Sequence, residues 1–170
     1  DLSGKYIIPG LIDSHVHWLD WMGEMYVNHG VTSVVGLTEF DRDRKLDSQS
    51  SHTVPRLFHS ANRPPFNKDH SRSEIRQIVK EWLAKEPDIA HFPTNNREIS
   101  RAYAIAAREV QRAGYMVFGH AENVPLSLDD GHNIVEHLWG FAQAAMTDDE
   151  LNAFQNGEHL TWATFMTNRW

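Results

Sequence analysis

The sequence predicts an α/β fold in which parallel strands alternate with helices. Short runs rich in β-branched and aromatic residues recur along the chain, and amphipathic runs of helical periodicity separate most of them. Short turns join these segments, which is typical of βα units and a parallel sheet. The 170 residues, 41% hydrophobic and 23% charged, are enough for one ordinary globular domain with its own core.

About six strands are predicted, each beside a turn signal or a helix. Pro9 and Gly10 precede the first strand, and residues 6–8 are a candidate for an extra strand before them. The β-branched run after Gly30 predicts a buried second strand. The predicted strands span residues 11–17, 31–37, 56–60, 89–92, 115–120 and 134–137.

Capping patterns and apolar periodicity predict four helices. Ser71 and Glu74 form a capping-box pattern before the second helix, and Thr147 and Glu150 form another before the last. Gly114 ends the third helix, since glycine is the usual residue just past a helix end. The predicted helices span residues 18–28, 71–86, 98–113 and 147 to about 154, and residues 38–54 and 62–69 are predicted loops.

Composition excludes several classes of protein. The net charge of −7, with no basic stripe to offset it, argues against a nucleic-acid or anionic-membrane partner. No apolar run approaches the ~18–20 residues of a membrane span, and no secretory signal is recognisable. These observations favour a cytoplasmic location, although they do not decide the compartment. Because the chain has no cysteine, any transition-metal site has to be built from carboxylates and its 11 histidines.

Two histidines stand two residues apart at the end of the first predicted strand. Side chains i and i+2 of a strand point to the same face, so His15 and His17 project together. Two imidazoles aimed at one point are half of a first-row metal site. The alternative is a pair of polar residues on a half-exposed strand, and the His-x-His pattern alone does not decide between the two.

Two further predicted strands end in His120 and His137. Active sites of parallel α/β folds lie at the carboxyl ends of the strands, so all four rings face one mouth if the strands form a barrel wall. Taken singly, His120 and His137 are each more simply explained as a histidine at the edge of the core. The joint pattern of strand-end histidines is harder to explain by chance. His132 lies in a turn and is predicted to be exposed to solvent. The histidines that lack a strand-end context, and are interpreted as surface or structural residues, are His29, His52, His59, His70 and His159.

Residues 4–17 (GKYIIPGLIDSHVH) resemble the opening of the catalytic barrel in the amidohydrolase superfamily. Residues 30–34 (GVTSV) are similar to the second strand of that barrel. Residues 119–121 (GHA) and 134–137 (IVEH) are similar to its fifth- and sixth-strand ligand motifs. The similarity extends over most of the chain and resembles the branch that contains imidazolonepropionases and Xaa-Pro dipeptidases.

This resemblance implies a TIM-like (β/α) barrel, incomplete here with about six of eight strands. Residues 1–8 would be a lead-in from a small β-sandwich region, and residues 9–170 the partial barrel. The implied activity is hydrolysis of an amide, cyclic amide or ester bond of a small molecule by metal-activated water. His15 and His17 would hold one divalent ion, with zinc expected before manganese, iron or nickel. His120 and His137 would hold a second ion or contact the substrate.

Two positions depart from the family pattern. His91 stands where many relatives have a bridging carboxylated lysine on the fourth strand, which favours a mononuclear or rearranged site. The family's general base, an aspartate of the eighth strand, is not found, because Asp148 and Asp149 are better explained as charges at a helix N-terminus. Glu122 and Glu136 are the weak candidates that remain. The alternative function is therefore a catalytically silent metal-binding or scaffold fragment of the same fold.

Two tryptophans and the open edge of an incomplete barrel lead to two further expectations. Trp18 and Trp139 adjoin strand-end histidines and are candidates for an apolar substrate pocket, although such residues are more often plain core. An incomplete barrel leaves an open sheet edge and an uncovered apolar face. We therefore expect a homo-oligomer or a complementing chain segment.

Overall fold

The computed structural model describes residues 2–37, 54–61 and 63–156, in which strands and helices alternate. The strands are β1 (Leu11–Val16), β2 (Val31–Gly36), β3 (Arg56–His59), β4 (Ala90–Asn95), β5 (Val117–Ala121) and β6 (Ile134–Glu136). The helices are α1 (Gly23–Asn28), α2 (Arg72–Leu83), α3 (Ser100–Arg112), α4 (Val124–Asp129), α5 (Trp139–Ala145) and α6 (Asp148–Gln155), and a 3-10 turn, Asp20–Met22, precedes α1. None of the helices in these ranges is both long and apolar enough to cross a membrane.

The strands lie where the sequence predicts them, with ends that differ by up to three residues. The helix predicted over residues 18–28 is shorter, since only the 3-10 turn and α1 form there. The extra strand predicted at residues 6–8 is wrong: this segment has no strand pairing and its three side chains are exposed. Helices α4 and α5 were not predicted. Residues 38–53 of the first predicted loop, and residue 62 of the second, lie outside the described residues.

The strands form two three-stranded sheets, in the orders β1-β2-β3 and β4-β5-β6. Strand β2 pairs in parallel with both of its neighbours, and β5 pairs in parallel with β6. The predicted α/β class with parallel strands is therefore confirmed, whereas a closed barrel is not seen within the described residues. The chain divides into two compact units: unit 1 is Asp1–Pro64 with Lys80–His91, and unit 2 is Pro65–Val79 with Phe92–Trp170.

The core of unit 1 is built on the first two strands. Val16, Trp18 and Val34 are buried together, and the ring of Trp18 stacks on Tyr26 of α1 with centroids 6.0 Å apart. In contrast, Ile12 of β1 is 69% exposed, and Tyr6, Ile7 and Ile8, which precede this strand, are exposed as well. Exposed apolar surface of this kind favours association, and the expected oligomer or complementing segment stays a prediction.

The core of unit 2 centres on three aromatic rings. Phe66, Phe92 and Tyr103 contact one another edge to face, with centroids 5.5 to 6.1 Å apart. Helix α3 supplies Tyr103 from a buried face with the 3.6-residue period that the sequence predicts. Both predicted capping boxes are confirmed in this unit, before α2 and before α6.

Candidate functional site

His15 and His17 lie together at the carboxyl end of β1, as the alternation of side chains along a strand predicts. Their ring centroids are 5.8 Å apart and their planes are tilted by 59°. His15 is half-buried and its backbone N–H donates to Oδ1 of Asp13 at 3.2 Å, whereas His17 follows the strand and is exposed. Unit 1 thus presents two adjacent imidazoles at a strand end.

His120 and His137 form a second pair, at the carboxyl ends of β5 and β6. Their rings stack with centroids 5.1 Å apart and 26° between the planes. His120 is the cross-strand neighbour of Glu136, and its Nε2 lies 3.5 Å from Oε2 of that carboxylate. Glu136 is buried, with a side chain only 4% exposed, whereas the side chain of His120 is 24% exposed and His137 is exposed.

The backbone of His137 has an unusual conformation. Its φ is +62°, in the left-handed region that residues other than glycine seldom adopt, although histidine is found there more often than most. Such a conformation costs on the order of 1–3 kcal/mol and persists only where surrounding contacts hold it. The turn comes directly after β6, and it accompanies the stacking of the His137 ring on His120.

The other predicted site residues occupy varied positions. His91 is fully buried in β4. Glu122 is exposed after β5, and its Oε1 lies 3.5 Å from Nδ2 of Asn96. Trp18 is a core residue of unit 1, and the side chain of Trp139 lies outside the described part of the structure. The roles assigned to these four residues stay predictions.

Asp148 and Asp149 are exposed in the first turn of α6, in accord with their interpretation as charges near a helix N-terminus. The predicted roles of His15, His17, His120 and His137 as metal ligands also stay predictions.

The prediction that His132 is exposed was wrong. This residue is only 4% exposed, because the turn after α4 folds against β5 and α3. Its Nδ1 lies 2.9 Å from the hydroxyl of Tyr103, and its Nε2 lies 3.1 Å from the carbonyl oxygen of Gly119. No pattern in the sequence identified this contact, since Tyr103 is 29 residues away.

His59 was wrongly interpreted as having no strand-end context. It is the last residue of β3 and is buried, and its Nδ1 lies 2.6 Å from Oδ2 of Asp88. The same carboxylate oxygen accepts from the backbone N–H of His59 at 3.2 Å. A signal was present, because the strand predicted over residues 56–60 already placed this histidine near a strand end.

The donors fit part of a metal coordination shell. In neither unit do the described residues bring three His, Asp or Glu side chains close enough to hold an ion. Each unit nevertheless supplies a pair of imidazoles, and unit 2 adds a carboxylate beside its pair. Imidazole and carboxylate suit zinc and neighbouring divalent metals.

Comparison with known proteins identifies solved structures with a similar fold. No family model and no curated protein sequence matches the chain, but solved structures do. An amidohydrolase is 17% identical, with a TM-score of 0.57 over 92% of this chain and 55% of its own. A prolidase complexed with n-methylphosphonate-L-proline is 15% identical, with a TM-score of 0.63 over 93% and 53%. A Xaa-Pro dipeptidase with bound methionine is 13% identical, with a TM-score of 0.55 over 88% and 52%.

These comparisons establish similarity of fold. The chain spans about half the length of each of these three structures. The folded chain is thus similar in fold to amidohydrolase and Xaa-Pro dipeptidase structures, in agreement with the resemblance inferred from short sequence motifs.

Proposed function

We propose that this chain is a metal-dependent hydrolase of the amidohydrolase type, acting on an amide, cyclic amide or ester bond of a small molecule. The observation that carries the proposal is that each sheet bears a histidine pair at the carboxyl ends of its parallel strands. This end of the strands is where α/β folds assemble their active sites. The similarity in fold to amidohydrolase and prolidase structures supports the same class of reaction.

His15 and His17 would hold a divalent metal, and His120 and His137 would hold a second one or contact the substrate. The metal would supply Lewis acidity, which activates water for attack on a carbonyl centre. Zinc is the preferred ion because its catalytic sites are commonly built from imidazole and carboxylate ligands, which this chain supplies.

The two carboxylates of unit 2 suit different roles. Buried Glu136 lies beside the His120 ring and would orient it, as carboxylates near ligating histidines commonly do. Exposed Glu122 follows β5, where solvent can reach its carboxylate, and it is the better placed of the two to exchange a proton with water.

The names of two similar structures suggest a first substrate class. One is a prolidase complexed with a phosphonate analogue of a proline compound, and another is a Xaa-Pro dipeptidase. We propose dipeptides with a C-terminal proline as the first substrates to test, beside cyclic amides and simple esters. The chemistry of the histidine pairs alone does not distinguish these substrates.

The test measures metal content and turnover on the same samples. The full chain is purified without added metal or chelator and analysed for zinc, manganese, iron and nickel. It is then assayed on the substrate panel. We expect about one or two equivalents of metal, and hydrolysis that chelation abolishes and zinc restores. The double variant His15→Ala/His17→Ala should lose both, and the control His29→Ala, which changes an exposed histidine of unit 1, should retain both.

The outcomes separate the proposed function from its alternative. Metal without turnover on any substrate would favour the catalytically silent metal-binding or scaffold protein. Absence of metal from the parent chain, even after incubation with zinc, would contradict both the metal site and the hydrolytic mechanism.

A further inference from the structure

Hydrogen bonds connect helix α3 to strand β5 through the turn after α4. The hydroxyl of Tyr103 lies 2.9 Å from Nδ1 of His132, and the two rings stack with centroids 5.2 Å apart. Nε2 of His132 lies 3.1 Å from the carbonyl oxygen of Gly119. Tyr103 is fully buried and His132 nearly so, which makes these bonds stronger than they would be in water.

The direction of each hydrogen bond follows from the chemistry of its partners. A carbonyl oxygen only accepts, so Nε2 of His132 carries a proton and donates it to Gly119. The hydroxyl of Tyr103 contacts no hydrogen-bond partner but His132 among the described residues, so its proton points to Nδ1. Burial above all, then the charges of Asp130 and Glu136, raise the pKa of Tyr103, which keeps that proton in place. A neutral imidazole protonated on Nε2 satisfies both bonds.

Gly119 is where these hydrogen bonds reach the candidate site. It directly precedes His120 in β5, and His132 holds the carbonyl of the peptide group that joins them. A Cβ at Gly119 would lie 2.5 Å from the backbone oxygen of Phe92, so only glycine allows this close approach of the neighbouring strand. Because a peptide group is planar, a restrained carbonyl also restrains the N–Cα bond of His120.

We propose that Tyr103 and His132 are positioning residues that aim the His120 ring at its metal or substrate, a role that rests on the proposed function. The ring itself stacks on His137 and faces the carboxylate of Glu136. His120 is therefore held through its backbone on one side and through its ring on the other. Without these buried hydrogen bonds, the ring contacts and the pairing of β5 with β6 persist, but the carbonyl of the peptide group before His120 loses the donor that orients it.

The decisive variant is Tyr103→Phe, which removes one hydroxyl and keeps the ring. Tyr26→Phe is the matched control, because it makes the same chemical change in unit 1.

Zn²⁺ affinity of the full chain is measured by competition with a chromophoric chelator. Histidine ring signals are followed by ¹⁵N NMR, with those of His120 assigned from His120→Ala. We expect Tyr103→Phe to move the His120 signals. We also expect it to weaken binding of the second equivalent of Zn²⁺, the one assigned to His120 and His137, about tenfold, the low end for partners outside the ligand shell. The control should change neither.

A second pair of variants tests the donor to Gly119. His132→Gln keeps an N–H that can reach the carbonyl, and His132→Leu removes it. We expect His132→Gln to preserve most of the parent Zn²⁺ affinity and His120 signals. We expect His132→Leu to change both in the same direction as Tyr103→Phe. If the Leu variant does not fold, as judged by circular dichroism, Tyr103→Phe and His132→Gln decide the question between them.

Unchanged His120 signals and Zn²⁺ affinity in both Tyr103→Phe and a folded His132→Leu would overturn the positioning role. If the parent chain binds no Zn²⁺, the proposed function fails. The His120 signals then decide the positioning role by themselves, since they do not require metal.

Discussion

The two histidine pairs of this molecule are built by different means. In unit 1, the alternation of one strand brings His15 and His17 together, and His17 remains exposed. In unit 2, the pair depends on a left-handed residue, a buried carboxylate and the peptide bond after Gly119, which His132 holds. Local geometry is thus sufficient to make a pair, whereas an oriented pair needs contacts from several elements.

Deleting the pairs separately should give the largest effects. We expect His15→Ala/His17→Ala to abolish metal binding, because this pair is proposed to hold the first ion. His120→Ala/His137→Ala should leave about one equivalent bound but lower the rate of hydrolysis at least about 100-fold, within the range of lost binding or orienting groups. Elemental analysis and steady-state kinetics on both variants check this. Metal retained by the first variant and lost by the second would reverse the roles assigned to the pairs.

The next effect compares one glycine from each sheet. Alanine at Gly119 would place its Cβ 2.5 Å from the backbone oxygen of Phe92, which cannot move without its strand, so we expect a loss of about 3 kcal/mol in unfolding free energy. Alanine at Gly36 would meet the tip of the Leu57 side chain at 3.2 Å, and its other contacts, with the Phe58 carbonyl oxygen and the Trp18 Cβ, are ordinary ones at 3.6 Å. We therefore expect a cost of about 1 kcal/mol. Urea denaturation of the two variants measures both values, and equal costs would contradict the close approach of β4 and β5.

A smaller effect depends on pH and on the buried tyrosine of unit 2. The pKa of Tyr103 is raised above its ordinary value of 10.0, so the unfolded chain releases this proton at a lower pH than the folded chain does. The contribution of Tyr103 to the unfolding free energy is therefore constant below pH 10 and falls as the pH rises above it, by up to about 1.4 kcal/mol per pH unit. Tyr103→Phe should flatten this decline, which denaturation between pH 9 and 11 measures. An equal decline in parent and variant would refute the assignment.

The smallest effect concerns the buried histidine of unit 1. Asp88→Asn removes the charge that faces Nδ1 of His59 but keeps an oxygen for its backbone N–H. Because the Asp88 side chain is 32% exposed, we expect a loss of no more than about 1 kcal/mol. Thermal unfolding beside Asp69→Asn, a change at an exposed loop position of unit 2, checks this value. A loss of unfolding free energy well above that of the Gly36 variant would contradict a weak, partly exposed contact between Asp88 and His59.

Much of the fold was predictable because its signals are local. The capping boxes of α2 and α6 each lie within four consecutive residues, and β2 is a short run rich in β-branched residues. Helix α4 was missed although Asn123 caps it and Pro125 lies in its first turn, because six residues are too few to establish a helical period. The extra strand at residues 6–8 was predicted from composition alone, and composition does not supply a pairing partner.

The sequence by itself determined the α/β class, the parallel strands and the His15–His17 pair, since each follows from residues close together in the chain. Only the tertiary structure decided that His132 is buried against Tyr103, that His59 pairs with Asp88, and that His120 faces Glu136. Those contacts join residues 16 to 29 positions apart. Such separations are fixed by strand register and helix packing, which no short pattern encodes.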